Sequence, residues 1–224
     1  MQIRITSRTM KTLFALAVAL VAGLVSTSAA ENSGWTSMFN GKDLSQWKSN
    51  EETKGVFTVE DGVLKVSGGR AHLFYVGPDG QAKFKNFEFK AKVMTTAGSN
   101  SGIYLHTEFQ PSGWPIKGYE CQVNTSHADA KKTGGLYAVQ DVMNNAPSKD
   151  KVWFDYYIKV QGRRIIIQID GRTTVDWTEP ADWDPAKSLK DMPGRKLSEG
   201  TIALQGHDPK STTFYKEMSL HILP

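Results

Sequence analysis

Cysteine is almost absent from this 224-residue chain. Cys121 is the only one, which excludes an internal disulfide framework and any multi-cysteine metal knuckle. Long apolar runs are scarce as well. Residues 12–25 carry no charge, but a membrane helix needs roughly 20 apolar residues, and no second run follows, so no membrane span is expected. The run sits between a basic stretch holding Arg4, Arg8 and Lys11 without any acid and a small-residue stretch ending Ser28-Ala29-Ala30. That order is the pattern of a secretory signal peptide. It implies export to the periplasm or the medium, cleavage after Ala30, and one mature domain over residues 31–224. No cysteine follows the small residues to take a lipid anchor. Removing residues 1–30 takes away three bases and no acid, so the formal charge of +4 becomes +1. Nucleic-acid binding needs a basic field, and no Lys/Arg run here exceeds a pair, so a nucleic-acid partner is excluded.

Catalytic signatures are missing too. There is no H-E-x-x-H pair and no phosphate-cradling glycine loop. Gly98-Ser99-Asn100-Ser101-Gly102 has Asn100 where a nucleophile elbow needs serine, and no helical pattern follows. Helix signals are thin: residues 181–196 read as a long loop with one helical turn. What is present is a period of two. Val56 to Val59, Asp61-Gly62 and Val63 to Val66 read as a hairpin on a tight turn. Phe87, Phe89, Ala91 and Val93 alternate with Glu88, Lys90 and Lys92. Residues 102–109, 118–124, 134–140, 153–160, 164–169, 172–177, 200–205 and 212–223 are further strand candidates, with turn signals between them. With six Trp, seven Tyr and ten Phe to fill a core, this spacing predicts an all-β, antiparallel two-sheet sandwich.

Alternation assigns faces. In 102–109, Tyr104, His106 and Glu108 lie opposite Ile103 and Leu105. In 118–124, Glu120, Gln122 and Asn124 lie opposite Tyr119, Cys121 and Val123. Two polar faces of this composition suit the lining of a cleft, and they equally suit a solvated outer face. Cys121 falls on the apolar side and reads as a core residue rather than a nucleophile. Trp114, in the loop between these strands, suits stacking on a sugar ring and equally suits loop packing. Among five histidines, His106 and His207 stand at strand positions where chemistry would be presented. A metal held by one histidine and a carboxylate is compatible with ligands on separate strands.

Five ordered segments carry a family resemblance. Phe39-Asn40-Gly41-Lys42-Asp43-Leu44-Ser45-Gln46-Trp47, Asn100-Ser101-Gly102-Ile103-Tyr104-Leu105, Gly118-Tyr119-Glu120-Cys121-Gln122-Val123, Thr133-Gly134-Gly135-Leu136-Tyr137 and Gly200 to His207 resemble the 3-keto-disaccharide hydrolase domain. The likeness runs from about Trp35 to Leu223. It departs from the family pattern at His106, where arginine is usual, at Asn124, where aspartate is frequent, at Trp153-Phe154 and at Phe214-Tyr215-Lys216. The resemblance implies a concanavalin A-like jelly roll and an exported hydrolase or lyase acting on 3-keto-glycosides or 3-keto-disaccharides.

A C3 ketone acidifies the proton on C2, and loss of that proton lets the C1 oxygen leave by elimination, after which water adds. Such a site needs a base, an acid and a stabiliser of the enediolate oxygen. A divalent metal ion could serve as the last. The expected assignment has Glu120 or His106 as base and His207 as acid, with Glu120 and His207 as candidate metal ligands. Asn100, Gln122 and Asn124 orient hydroxyls, and Tyr104, Trp114 and Tyr137 contact the sugar. The competing reading is a non-catalytic carbohydrate-binding module on the same sandwich; a purely structural exported protein ranks behind both. Oligomeric state has no signature in the sequence. Cleavage after Ala30 has a direct check: mass spectrometry of the exported protein should give a chain beginning at Glu31, and a retained apolar segment would contradict it.

Overall fold

The computed structural model describes residues 34–50, 52–189 and 191–224; the signal-like segment and its cleavage point at Ala30 lie outside the described residues. Among the described residues fifteen strands are joined by turns, and the one helix is α1 (Pro185–Ser188), a single turn in the 181–196 loop. Its start is written locally: the Asp184 side chain accepts from the Ala186 N–H, and Pro185 occupies the first turn, where a missing N–H costs nothing.

The hairpins follow from their turn residues. Asp61 and Gly62 (φ 50° and 78°) join β3 (Phe57–Glu60) to β4 (Val63–Ser67), and Asp170 and Gly171 (φ 48° and 74°) join β12 (Arg164–Ile169) to β13 (Arg172–Thr178). Two successive left-handed residues match the strand twist, and Asp-Gly tolerates them. With β1 (Trp35–Ser37), β6 (Phe87–Thr95), β11 (Phe154–Gln161) and β15 (Thr212–Ile222), these build the first sheet, in the order β13-β12-β11-β6-β15-β4-β3 with β1 beside β15. The second sheet runs β10 (Gln140–Met143), β9 (Lys131–Leu136), β8 (Tyr119–Asn124), β7 (Asn100–Thr107), β14 (Thr201–Gly206), β5 (Ala71–Tyr75) and β2 (Trp47–Ser49). All pairings are antiparallel, and the sheets pack as a concanavalin A-like sandwich. The expected strand at 134–140 is instead two, β9 and β10, because Ala138 turns the chain at φ 63°.

Between the sheets lies the core, built from alternate residues: Phe87, Phe89 and Val93 from β6, Ile158 and Val160 from β11, Ile103 and Leu105 from β7, Tyr119, Cys121 and Val123 from β8. The decisive feature is on the other side of the second sheet. Every residue of β7, β8 and β14 is buried, so the outer face of these strands is covered rather than solvated. A second small cluster, Phe74, Tyr104 and Ala203, sits there.

One face assignment fails. The register of β7 against β14 shifts between Thr201 and Ala203, and His106 adopts φ 54°, a bulge that breaks the alternation. The bulge is squeezed by neighbours on both sides. A Cβ on Gly118 would lie 2.0 Å from the Leu105 carbonyl oxygen, and one on Gly200 would lie 2.3 Å from that of Thr107. His106 is thereby carried out of line with Tyr104.

Cys121 is fully buried in the core, and burial raises its thiol well above the usual range. Cys121→Ala should cost about 1–2 kcal/mol in denaturant melts, as for a small lost core side chain, with activity intact. A thiol reagent should label the wild type only on unfolding.

Candidate active site

The covered face forms the floor of a cleft of about 580 Å³. Because alternate residues share a face, β8 contributes Glu120 and Gln122, β7 contributes Asn100 and Tyr104, and β14 contributes Gln205. Two loops wall it. The β7–β8 loop supplies Trp114, Pro115 and Ile116; the loop after α1 supplies Met192, Pro193 and Arg195.

Glu120 is the hub of the floor. Its Oε2 accepts from Tyr104 Oη at 3.0 Å and from Arg195 Nη2 at 3.1 Å, and its Oε1 accepts from Gln205 Nε2 at 3.0 Å. Glu120 and Arg195 side chains are 8% and 5% exposed, so this is a buried ion pair with its lone pairs largely satisfied. Room for the carboxylate comes from Gly102, where a Cβ would fall 2.6 Å from Glu120 Oε1. Burial first, and the Glu120 charge next, push the Tyr104 hydroxyl well above its usual range, so it remains a donor.

A second network runs through His207. Gln122 Nε2 donates to Asn100 Oδ1 (3.2 Å), and Asn100 Nδ2 faces His207 Nε2 (3.2 Å). His207 Nδ1 lies 3.0 Å from Asp208 Oδ2, which assigns the proton to Nδ1 and makes Nε2 the acceptor of the Asn100 amide. Asp208 also accepts from the Ser211 hydroxyl and the Lys210 N–H. Although burial works the other way, these bonds hold its carboxyl below the usual value. Two acceptors on lining residues have no donor: the Oε1 atoms of Gln122 and Gln205, both shut away from solvent. For Gln205 the amide orientation is fixed, since its nitrogen is committed to Tyr104 and Glu120. An unpaired buried carbonyl carries a desolvation penalty that a ligand hydroxyl would relieve.

Of the residues expected at the site, Asn100, Tyr104, Trp114, Glu120, Gln122, Tyr137 and His207 line this cleft. His106 and Asn124 do not. His106 Nε2 bonds the Lys85 carbonyl and its Nδ1 accepts from Ser198 N, so the bulge makes it a brace for the loops rather than a base. Asn124 lies past the cleft floor, where its amide ties down the following turn through the carbonyls of Asp129 and Lys131. Glu120 and His207 do not come together as metal ligands; Arg195 occupies Glu120 instead. The one candidate ion-binding group among the described residues is His127, His207 and Asp208, with ligand atoms within 4.8 Å of one another. Two imidazoles and a carboxylate are a donor set that fits a divalent transition ion. Arg195 and Gln205 were missed. Arg195 stands in a Pro-Gly loop without periodicity, and Gln205 differs from its neighbours only by the alternation that had flagged Gln122.

His72, on β5 beneath Trp114, is buried without a partner for either ring nitrogen. Burial, as the main cause, lowers both His72 and His106 from 6.5 to about 4. The unfolded chain therefore takes up two protons near pH 6.5 that the folded one refuses until about pH 4. This stability is complete above pH 6.5 and is lost as pH falls through 4. At about 1.4 kcal/mol per pKa unit, each histidine accounts for roughly 3 kcal/mol. Urea titrations between pH 7 and pH 4 should show the decline, and His72→Phe should make it about half as steep.

A sandwich whose one covered outer face carries a loop-walled cleft of amides, an ion pair and an imidazole is a cleft-bearing member of the concanavalin A-like class. Within that class, the profile of the 3-keto-α-glucoside-1,2-lyase-like domain matches residues 34–221, and the chain belongs to that family. Solved structures agree on the fold. A Parabacteroides distasonis protein named, by inference, a glycosyl hydrolase is 23% identical with a TM-score of 0.72, covering 85% of this chain and 94% of that one. A second from the same organism, named in the same way, is 19% identical with a TM-score of 0.69, covering 84% and 99%. A Bacillus subtilis carbohydrate-binding module is 15% identical with a TM-score of 0.50, covering 79% and 95%. No curated protein sequence matches the chain.

Proposed function

We propose that the protein cleaves 3-keto-glycosides by removing the C2 proton and eliminating the C1 oxygen, with water then adding to C1. The observation that carries the reading is the meeting of an oriented imidazole, a buried ion pair and amide side chains in one cleft. Sugar hydroxyls donate to Gln122 and Gln205. His207 Nε2, its tautomer held by Asp208, takes the C2 proton once the sugar has displaced the Asn100 amide from it. The electron pair of the C2–H bond becomes the C2–C3 double bond, and charge moves onto the C3 oxygen. Arg195, fixed by Glu120, supplies the positive field for that oxygen. The C3 oxygen then re-forms its carbonyl, the C2–C3 pair becomes the C1–C2 double bond, and the C1–O bond breaks with its electrons leaving on the glycosidic oxygen.

Tyr137 carries the one hydroxyl among the described lining residues without a protein partner, and it gives the leaving oxygen its proton. Burial, then the nearby Asp129 and Glu120 charges, raise its pKa, so it is protonated at neutral pH. If a divalent ion is bound, His127, His207 and Asp208 would hold it; it would supply Lewis-acid stabilisation of the enediolate oxygens, and His207 would then be a ligand in place of the base.

The carbohydrate-binding module is the second reading, favoured by the solved module sharing the fold. Turnover in D2O separates the two. The enzyme should release the aglycone from a 3-keto-glucoside and place deuterium at C2 of the product. His207→Gln should lower kcat/KM by about 10²-fold to 10⁴-fold with sugar binding retained. A module would bind and release nothing, and undiminished turnover by His207→Gln would remove His207 as the base.

A further inference from the structure

The cleft is built of two chemistries, and they are separated in space. Its floor is polar: the amides of Asn100, Gln122 and Gln205, the Glu120–Arg195 pair and His207. Its mouth is mostly apolar. Trp114, Pro115 and Ile116 come from one loop, Met192 and Pro193 from the other, with Asp191 beside Met192 as the charged side chain of that wall. Trp114 and Ile116 are 41% and 63% exposed, an unfavourable position for large apolar groups that are held still.

They are held still by an unusual amount of bracing. Gln110 uses its whole amide on the Trp114 loop, donating to the Ser112 and Trp114 carbonyls and accepting from Ile116 N. Glu52 accepts from Gly113 N at 2.9 Å. The Trp114 ring lies against His72 and His207, at centroid distances of 5.6 and 5.3 Å, with the Arg70 guanidinium 5.4 Å from its centre. The two loops are also clamped to each other. Gly118 N donates to the Gly194 carbonyl at 3.0 Å, and a Cβ on Gly194 would lie 2.2 Å from the Ile116 carbonyl oxygen. An apolar surface fixed beforehand in this way binds an apolar group without an ordering cost at the moment of binding.

We propose that this mouth is an aglycone subsite for an alkyl or aromatic group, so that the preferred substrates are glycosides of apolar alcohols rather than disaccharides. The inference rests on the proposed glycoside cleavage for its substrate orientation, with the oxidised sugar on the polar floor. A second sugar would bring several hydroxyls against the aliphatic faces of Pro115, Ile116, Met192 and Pro193, none of which has a side-chain donor or acceptor. An apolar aglycone loses nothing there and covers Trp114 and Ile116.

The test compares methyl and hexyl 3-keto-glucosides of one anomer, whose alkanol leaving groups are chemically alike, with a 3-keto-disaccharide. The expected kcat/KM for the hexyl substrate is at least about tenfold above both others, since each buried methylene is favourable. The double variant Ile116→Asn with Met192→Gln should bring the hexyl-to-methyl ratio close to one. Equal rates for hexyl and methyl, or a disaccharide faster than both, would overturn the subsite. Should the variant not fold, the wild-type ratio decides alone. If nothing is turned over, the proposed cleavage fails but the subsite is still read. Calorimetry with unoxidised hexyl and methyl glucosides should then show tighter hexyl binding, and equal affinities would overturn it.

Discussion

The buried contact between Glu120 and Arg195 organises most of what surrounds it. An ion pair out of water gains little over an apolar substitute of equal volume, while losing one partner leaves a charge that the interior cannot solvate. Its value is therefore in specification. Arg195 enters from a loop with no periodic structure of its own, and the carboxylate fixes where that loop ends over the sheet. The same carboxylate collects the Tyr104 hydroxyl and the Gln205 amide, so strands β7, β8 and β14 meet at one atom pair. Gly102 is small because Glu120 needs its space.

The His207 chain works by a different principle. Nothing in it is deeply charged; it sets direction. Asp208 and Ser211 hold one side of the imidazole while Asn100 and Gln122 approach the other, so that the lone pair has a single outlook. The two networks lie side by side on one floor, one centred on an ion pair and the other on an imidazole.

Much of this was legible beforehand, for reasons that differ by residue. A period of two and Asp-Gly turns are local properties, so the sandwich and its hairpins could be read from the chain, as could the side on which Cys121 and Glu120 fall. His106 could not be placed, because its bulge packs closely against Gly118 and Gly200, which come from other parts of the chain. Asn124 shares a face with Gln122 but runs beyond the cleft, and alternation says which side a residue takes, not how far the site extends. Arg195 left no mark at all, since its place depends wholly on a carboxylate 75 positions away.

β7, β8 and β14 have no free side: one face meets the opposite sheet and the other meets the cleft and its loops. On an ordinary sandwich strand every second position is in contact with water and can drift chemically without penalty. Here few can, and segments within these three strands, from Asn100 to Leu105, from Tyr119 to Val123 and from Thr201 to Gly206, are among those by which the chain is recognisable. The covering that makes the cleft also makes a written signature: where structure leaves a strand no spare surface, the sequence has few silent letters.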